Sequence, residues 1–146
     1  MSLQLTKEIY ESFIKQDVES ATKDMAENFL STNIRHGFKL NLDDSKSVTQ
    51  AEFDSGSEHE SRLIEIFEIG NYTLAIVQII LKKDNQIFGR GEEWVFFHWI
   101  NNKCISAEIF TDRAVFNLEV TEKWLNSLDI EYEVINLDDS QYRKVF

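Results

Sequence analysis

The chain contains no proline, so its turns must be built from Gly, Asn, Asp and Ser, and only five glycines are available for them. Cys104 is the single cysteine, which excludes an intrachain disulfide and a thiolate metal cluster within one chain and suits a reducing compartment. Cations are scarce as well. Fifteen Lys and Arg against twenty-six Asp and Glu leave a formal net charge of -11, too acidic for a protein that neutralises phosphates. Neither nucleic acid nor a membrane surface is an expected partner. No apolar run approaches the roughly 18 residues of a membrane helix, and residues 1–5 lack the basic and apolar stretches of a secretory leader, so a cytoplasmic location is expected. The three histidines form no His-x-x-x-His pair, and there is no Gly-rich phosphate loop or Gly-x-Ser-x-Gly elbow. No metal and no cofactor is expected.

What the chain does have is apolar bulk. Hydrophobic residues make up 42% of it, with 11 Phe, 3 Trp and 4 Tyr, enough to fill a core and to exclude disorder. One core serves a chain of 146 residues, so 1–146 is read as a single domain with a C-terminal extension over about 129–146.

Periodicity places the elements. Leu5, Ile9, Phe13 and Ile14 fall at helical spacing, and Asp17 suits the N-cap of a second helix carrying Val18, Ala21, Met25 and Phe29. The period then drops to two: Ile34, His36, Phe38, Leu40 and Leu42 alternate with polar residues, as in a half-buried strand. Residues 43–61 are polar and read as a long loop with one helical turn, a candidate lid. Strand runs follow at 62–69, 72–82, 87–100 and 104–111, joined by turn signals at Gly70-Asn71, 83–85 and Asn101-Asn102. That is an antiparallel meander. Helical spacing returns after Asp112, which would cap it, through Val115, Phe116, Trp124, Leu125 and Leu128, and 130–137 alternates weakly as an added edge strand.

Both faces of the central strands are apolar. Leu74, Ile76 and Ile80 oppose Ala75, Val77, Ile79 and Leu81, while Trp94 and Phe96 oppose Val95, Phe97 and Trp99. A sheet wet on one side would alternate with polar residues. The N-terminal helices can cover one face only. The other calls for a partner subunit, since each large side chain left in water forgoes about 1.5–3 kcal/mol.

Three stretches carry a family resemblance: Ile9-Tyr10 through Lys15-Gln16-Asp17, Asn33-Ile34-Arg35-His36-Gly37, and Asn102-Lys103-Cys104-Ile105 followed by Phe110-Thr111-Asp112. In their order and spacing, over roughly residues 5–118, the chain resembles the nuclear transport factor 2 (NTF2)-like superfamily, in its SnoaL-like and ketosteroid-isomerase-like branch. The resemblance implies an α+β fold: N-terminal helices packed in the concave face of a strongly curved antiparallel sheet, a cystatin-like cone whose mouth admits a small apolar molecule. It also implies a homodimer through the outer sheet face. Gln16 stands where the first motif usually has Gly, and no Pro follows His36. The isomerase constellation is not intact either: His36 lies near the position of the base, Val95 or Phe96 near that of the second acid, and Tyr10 within one residue of that of the phenol.

The candidate catalytic residues are His36, His98 and Glu108. His36 and His98 sit on strand faces where an imidazole could move a proton or hold a carbonyl, and Glu108 could orient a histidine or act as an acid. Each has a plainer role open to it, as a core histidine or a solvated carboxylate. Tyr10, Phe13, Phe38, Trp94 and Phe96 are the candidate ligand-binding side chains, and Trp94 and Trp99 must face opposite sides of the sheet. His59 between Glu58 and Glu60 is too local to hold a metal. Two functions compete: a cavity protein for a compact apolar ligand, with acid–base isomerase, cyclase or dehydratase chemistry left open, and a non-catalytic dimerisation or protein-interaction module whose cone is filled by its own side chains.

Overall fold

A computed structural model describes residues 2–33, 38–54, 59–83, 86–111 and 133–134. The first helix, α1 (Ser2–Ile14), buries Thr6, Ile9 and Tyr10 along one face. It ends in a Schellman motif: Asp17 N donates to the Ser12 carbonyl at 2.9 Å and Gln16 N to that of Phe13 at 3.0 Å, with Gln16 at φ 55. That left-handed position favours glycine, the residue that the resemblance leads one to expect there. Asp17 then caps α2 (Val18–Thr22), accepting from Ser20 N at 3.1 Å and Ser20 Oγ at 2.6 Å. These bonds hold its carboxyl below the usual range.

The helix expected to run on to Phe29 stops at Thr22, and Met25–Asn33 is a strand, β1. The misreading has a simple cause. Met25 and Phe29 are four residues apart, an even number, so they share a face in a strand as well as in a helix. Tertiary pairing decides: β1 lies between β2 (Phe38–Asn41), antiparallel to it, and β6 (Lys103–Thr111), parallel to it. The expected strand over 34–42 is thus described from Phe38 to Asn41 only, residues 34–37 lying outside the described residues.

The loop expected over 43–61 is corrected too: Leu42–Asp54 forms α3, and β3 already begins at His59. Asn41 Oδ1 accepts from Asp44 N at 2.8 Å, and Asp43 and Asp44 lie in the first turn, where carboxylates complement the helix dipole. No residue of α3 is fully buried, which is why its hydrophobic periodicity is hard to see. Its anchor is Phe53, whose ring meets Phe13 edge-on at 6.0 Å.

The meander is as expected. Strands β3 (His59–Ile69), β4 (Tyr72–Lys83), β5 (Gln86–Ile100) and β6 pair antiparallel in sequence. Gly70 turns the first hairpin at φ 58, and Asn101 and Asn102 turn the third at φ 50 and 61, conformations that Asn tolerates better than most residues. Among the described residues seven strands form one sheet in the order β3-β4-β5-β6-β1-β2-β7, with β7 (Glu133–Val134) on β2 as a two-residue edge strand. The expected helix after Asp112 lies outside the described residues.

The helices pack in the concave face of this α+β sheet. Ile9 and Tyr10 join Phe29, Ala75, Val77, Val95, Phe97, Trp99, Cys104 and Ala107 in one core. The α1 N-terminus is tied to β3 where Ser2 Oγ donates to Glu68 Oε1 at 3.0 Å. No helix among the described residues is long and apolar enough to cross a membrane.

Candidate functional site on the concave face

By strand alternation and register, the inward positions of β5 are Gly89, Gly91, Glu93, Val95, Phe97 and Trp99. Residue size grows along this column from no side chain to an indole. The concave face is therefore bulkiest at the Trp99 end, and neither Gly89 nor Gly91 contributes a side chain at the other.

The Trp99 end is held by a directed hydrogen-bond chain. Trp99 Nε1 donates to Thr73 Oγ1 at 2.9 Å, Thr73 Oγ1 lies 2.7 Å from Thr6 Oγ1, and Thr6 Oγ1 donates to the Ser2 carbonyl at 2.8 Å. Indole can only donate, and the Thr6 proton is committed to Ser2, so Thr73 must donate to Thr6. Both threonines are fully buried, and each is satisfied.

Toward the glycine end stands Tyr10. Its ring meets Phe97 edge-on at 6.2 Å and Phe13 at 5.9 Å. Burial first, and then the nearby Glu93 carboxylate, push its phenol well above the ordinary tyrosine value, so it stays a hydrogen-bond donor at any ordinary pH. Glu93 is half-buried on the same side of the sheet. A phenol and a carboxylate framed by Phe13, Val95 and Phe97 can together hold a polar atom of an otherwise apolar molecule, or move a proton on it.

The structure places the candidates on two sides. Tyr10, Phe13 and Phe38 are on the concave side, Tyr10 and Phe38 buried and Phe13 partly so. Trp94, Phe96, His98 and Glu108 are not. Val95, Phe97 and Trp99 point inward, so Trp94, Phe96 and His98 point outward, and Glu108 and Ser106 face outward opposite Phe96 and His98. As lining of the concave space these four are corrected by the register, which the sequence could not phase. His98 stacks on Tyr72 instead, with ring centroids 4.3 Å apart and planes at 10°. His36, the other candidate, lies outside the described residues. Sequence reasoning missed Glu93, Thr6 and Thr73. The available signal for Glu93 was a charge in phase with Val95, Phe97 and Trp99, a column that is otherwise uncharged.

Two further features lie apart from this face. An open groove of about 520 Å³ runs between α2 and α3, past Asp17, Glu19, Lys46, Gln50 and Asp54. Its polar walls pair with one another, Lys46 with Glu19 at 3.6 Å and Gln50 with Asp54 at 2.8 Å. Cys104 is buried, and burial pushes its thiol up to about 12, which leaves it inert as a nucleophile. Among the described residues no three His, Cys, Asp or Glu side chains converge as metal ligands.

No family model matches the chain, and no curated protein matches it in sequence. Solved structures do match in fold. An NTF2-like protein of unknown function from Cytophaga hutchinsonii is 14% identical with a TM-score of 0.61, over 77% of this chain and 91% of that one. A cystatin-fold protein from Novosphingobium aromaticivorans is 15% identical with a TM-score of 0.63, over 73% and 95%. TerC, co-crystallised with polyporic acid, is 13% identical with a TM-score of 0.65, over 80% and 97%. Helices in the hollow of a curved sheet, a meander closed by a parallel first strand, and these matches make one statement: the chain has the NTF2-like, cystatin-type α+β fold.

Proposed function

We propose that the protein binds a compact, largely apolar small molecule on its concave face, with Tyr10 and Glu93 as the polar pair that orients it. The observation that carries this reading is the inward column of β5, which loses its side chains at Gly89 and Gly91 just beyond a half-buried Glu93 beside a buried phenol. A carboxylate is costly to hold among apolar side chains, so a half-buried Glu93 beside a buried phenol fits a polar pair that meets a ligand better than a core. Neighbours in fold bear the names of a ketosteroid isomerase, a hydroxylase and a SnoaL-like polyketide cyclase, and TerC was co-crystallised with polyporic acid, which agrees with this reading without fixing a reaction. If the pair is catalytic, Glu93 is the base and Tyr10 the donor to the developing oxyanion; His36 is a further candidate for the base.

The test is a thermal-shift and fluorescence screen of compact apolar phenols and carbonyl compounds against the wild type, Tyr10→Phe and Glu93→Gln. A ligand of this site should bind each variant about tenfold more weakly, the equivalent of losing one buried hydrogen bond of about 1.5 kcal/mol. Binding that survives both substitutions would place the site elsewhere, and a panel that shifts nothing would favour a cone filled by its own side chains.

The second reading concerns the outer face. Phe67, Ile69, Tyr72, Trp94, Ile100 and Leu30 are all exposed there, and we propose that a second copy of the chain covers them in a homodimer. Sedimentation at micromolar concentration should give twice the 17.1 kDa chain mass. A 17.1 kDa species at that concentration would remove this reading and leave the first intact.

A further inference from the structure

The convex face is wide, apolar and almost free of charge at its centre, yet it holds one imidazole, that of His98. Aromatic side chains present about 150–250 Å² each. Phe67, Tyr72 and Trp94 at 39–42% exposure, with Ile69, Ile100 and Leu30 at 44–57%, therefore leave on the order of 500 Å² in water. The half-buried Ile76, Phe96, His98 and Phe110 bring the face near the ~800 Å² that each partner of a stable interface contributes. A second copy is the occupant that suits it, because two chains of charge -11 can approach only where charge is sparse. The described outward charges of these strands, Arg62, Glu65, Glu92, Lys103 and Glu108, with Lys39 of β2, stand around the stretch from Tyr72 and Leu74 to Phe96 and His98 rather than within it.

His98 lies within that stretch. On the β4 side it rests flat on Tyr72, beyond which the register places Ile69 of β3. On the β6 side Ser106 is opposite, and Glu108 is one outward position further along. Lys103, at the start of β6, points its ammonium at the Lys23 carbonyl, 3.3 Å away. Phenols and hydroxyls carry no charge between pH 5.5 and 7.5. Glu108 is thus the one described carboxylate near the ring, on a diagonal that spans roughly 7–8 Å in a sheet.

We propose that His98 makes self-association through this face acid-sensitive, the neutral imidazole belonging to the paired state and the imidazolium to the separate subunit. This rests on the homodimer reading above. In the separate subunit the half-buried ring keeps contact with water, stacked on Tyr72 with Glu108 one outward position away. Pairing removes the water and presents a second apolar face, against which an imidazolium is costly. The paired state therefore holds the proton less tightly, and association is complete above the histidine range and lost as pH falls through it. With one such ring in each copy, acidification from pH 7.5 to 5.5 weakens the dimer by up to about 100-fold, about tenfold for each ring.

Sedimentation equilibrium of the wild type, His98→Phe and His98→Gln at pH 7.5, 6.5 and 5.5, with circular dichroism to confirm folding, tests this. The expected result is a dissociation constant that rises steeply with acid in the wild type and stays flat in His98→Phe, which keeps an aromatic ring on Tyr72 and retains His36 and His59. His98→Gln, neutral and polar, should be flat as well, and it replaces His98→Phe if that variant fails to fold. A wild-type dimer indifferent to pH, or an acid response that survives both substitutions, would overturn the proposal while leaving the dimer standing. A wild type that is monomeric at pH 7.5 would overturn the dimer reading and the proposal together.

Discussion

Along β5, Val95, Phe97 and Trp99 are buried against α1, whereas Trp94, Phe96 and His98, one residue out of phase, meet solvent. The two sets are about equally apolar and aromatic, so composition does not separate them. What separates them is what sits opposite. The concave set faces Ile9, Tyr10 and Phe13 of a helix in the same chain, and the convex set has no such helix among the described residues. The difference teaches that hydrophobic burial in this fold is assigned by topology: the same residue type holds the chain together on one face and is free to hold something else on the other.

The two tryptophans sharpen that contrast most. Trp99→Ala removes a buried indole from the core and should cost about 3–5 kcal/mol of folding stability by urea denaturation. A cost below about 1 kcal/mol would mean that the Trp99 end of the cone is not the stability core.

Alkali probes the same interior through Cys104. Its thiol is raised from 9.0 to about 12, by burial first, and Tyr10 is raised in the same direction. A raised folded-state value stabilises fully below the unfolded value and is lost as pH climbs toward the folded one. Stability should therefore fall between about pH 9 and 12, by roughly 2–4 kcal/mol from the thiol. Cys104→Ala should flatten that part of the pH profile, and an unchanged slope would show that the thiol is not what alkali attacks.

Next in size is Thr73→Val, which keeps the shape but takes the acceptor from Trp99 Nε1 and the donor from Thr6 Oγ1. It should cost about 1–3 kcal/mol, with a shift in indole fluorescence. Thr73→Ser, which restores the hydroxyl, should recover most of the loss. The smallest effect on folding belongs to the convex face: Trp94→Ala should change single-subunit stability by about 1 kcal/mol or less. The same substitution should weaken the proposed dimer by about 2 kcal/mol or more, as a central aromatic does. Equal effects of Trp94 and Trp99 on folding would erase the distinction between the faces.

Much of this was legible in the sequence because local rules and the fold agree. Gly70-Asn71 and Asn101-Asn102 announce hairpins through the backbone angles those residues accept, and Asp17 announces a cap. The opposed faces of Trp94 and Trp99 follow from period two alone. What the sequence withheld was phase and partner. Period two says that Phe96 and Phe97 part company, but not which one meets the helices. That depends on α1 crossing β3, β4 and β5, a long-range fact. Met25–Asn33 and Leu42–Asp54 were misassigned for the same reason: the strand is fixed by β6 rather than by its own pattern, and the helix has no fully buried residue to mark its period. Glu93 was passed over because its meaning comes from Tyr10, far away in the chain.

The parallel seam between β1 and β6 bears on how the chain reaches this structure. Every other pairing of β3 to β6 is a hairpin that closes locally, whereas β1 must wait for β6, so that Leu30 finds Ser106 only after most of the chain has been ordered. Closing so long a loop is entropically unfavourable and comes late. With no proline in the chain, no prolyl isomerisation can supply a slow phase either before or after it. The kinetics should therefore be governed by the closing of that seam, and amides along β1 should exchange their hydrogens before those at the centre of β4 and β5, which makes the first strand in the sequence the last to arrive and the first to leave.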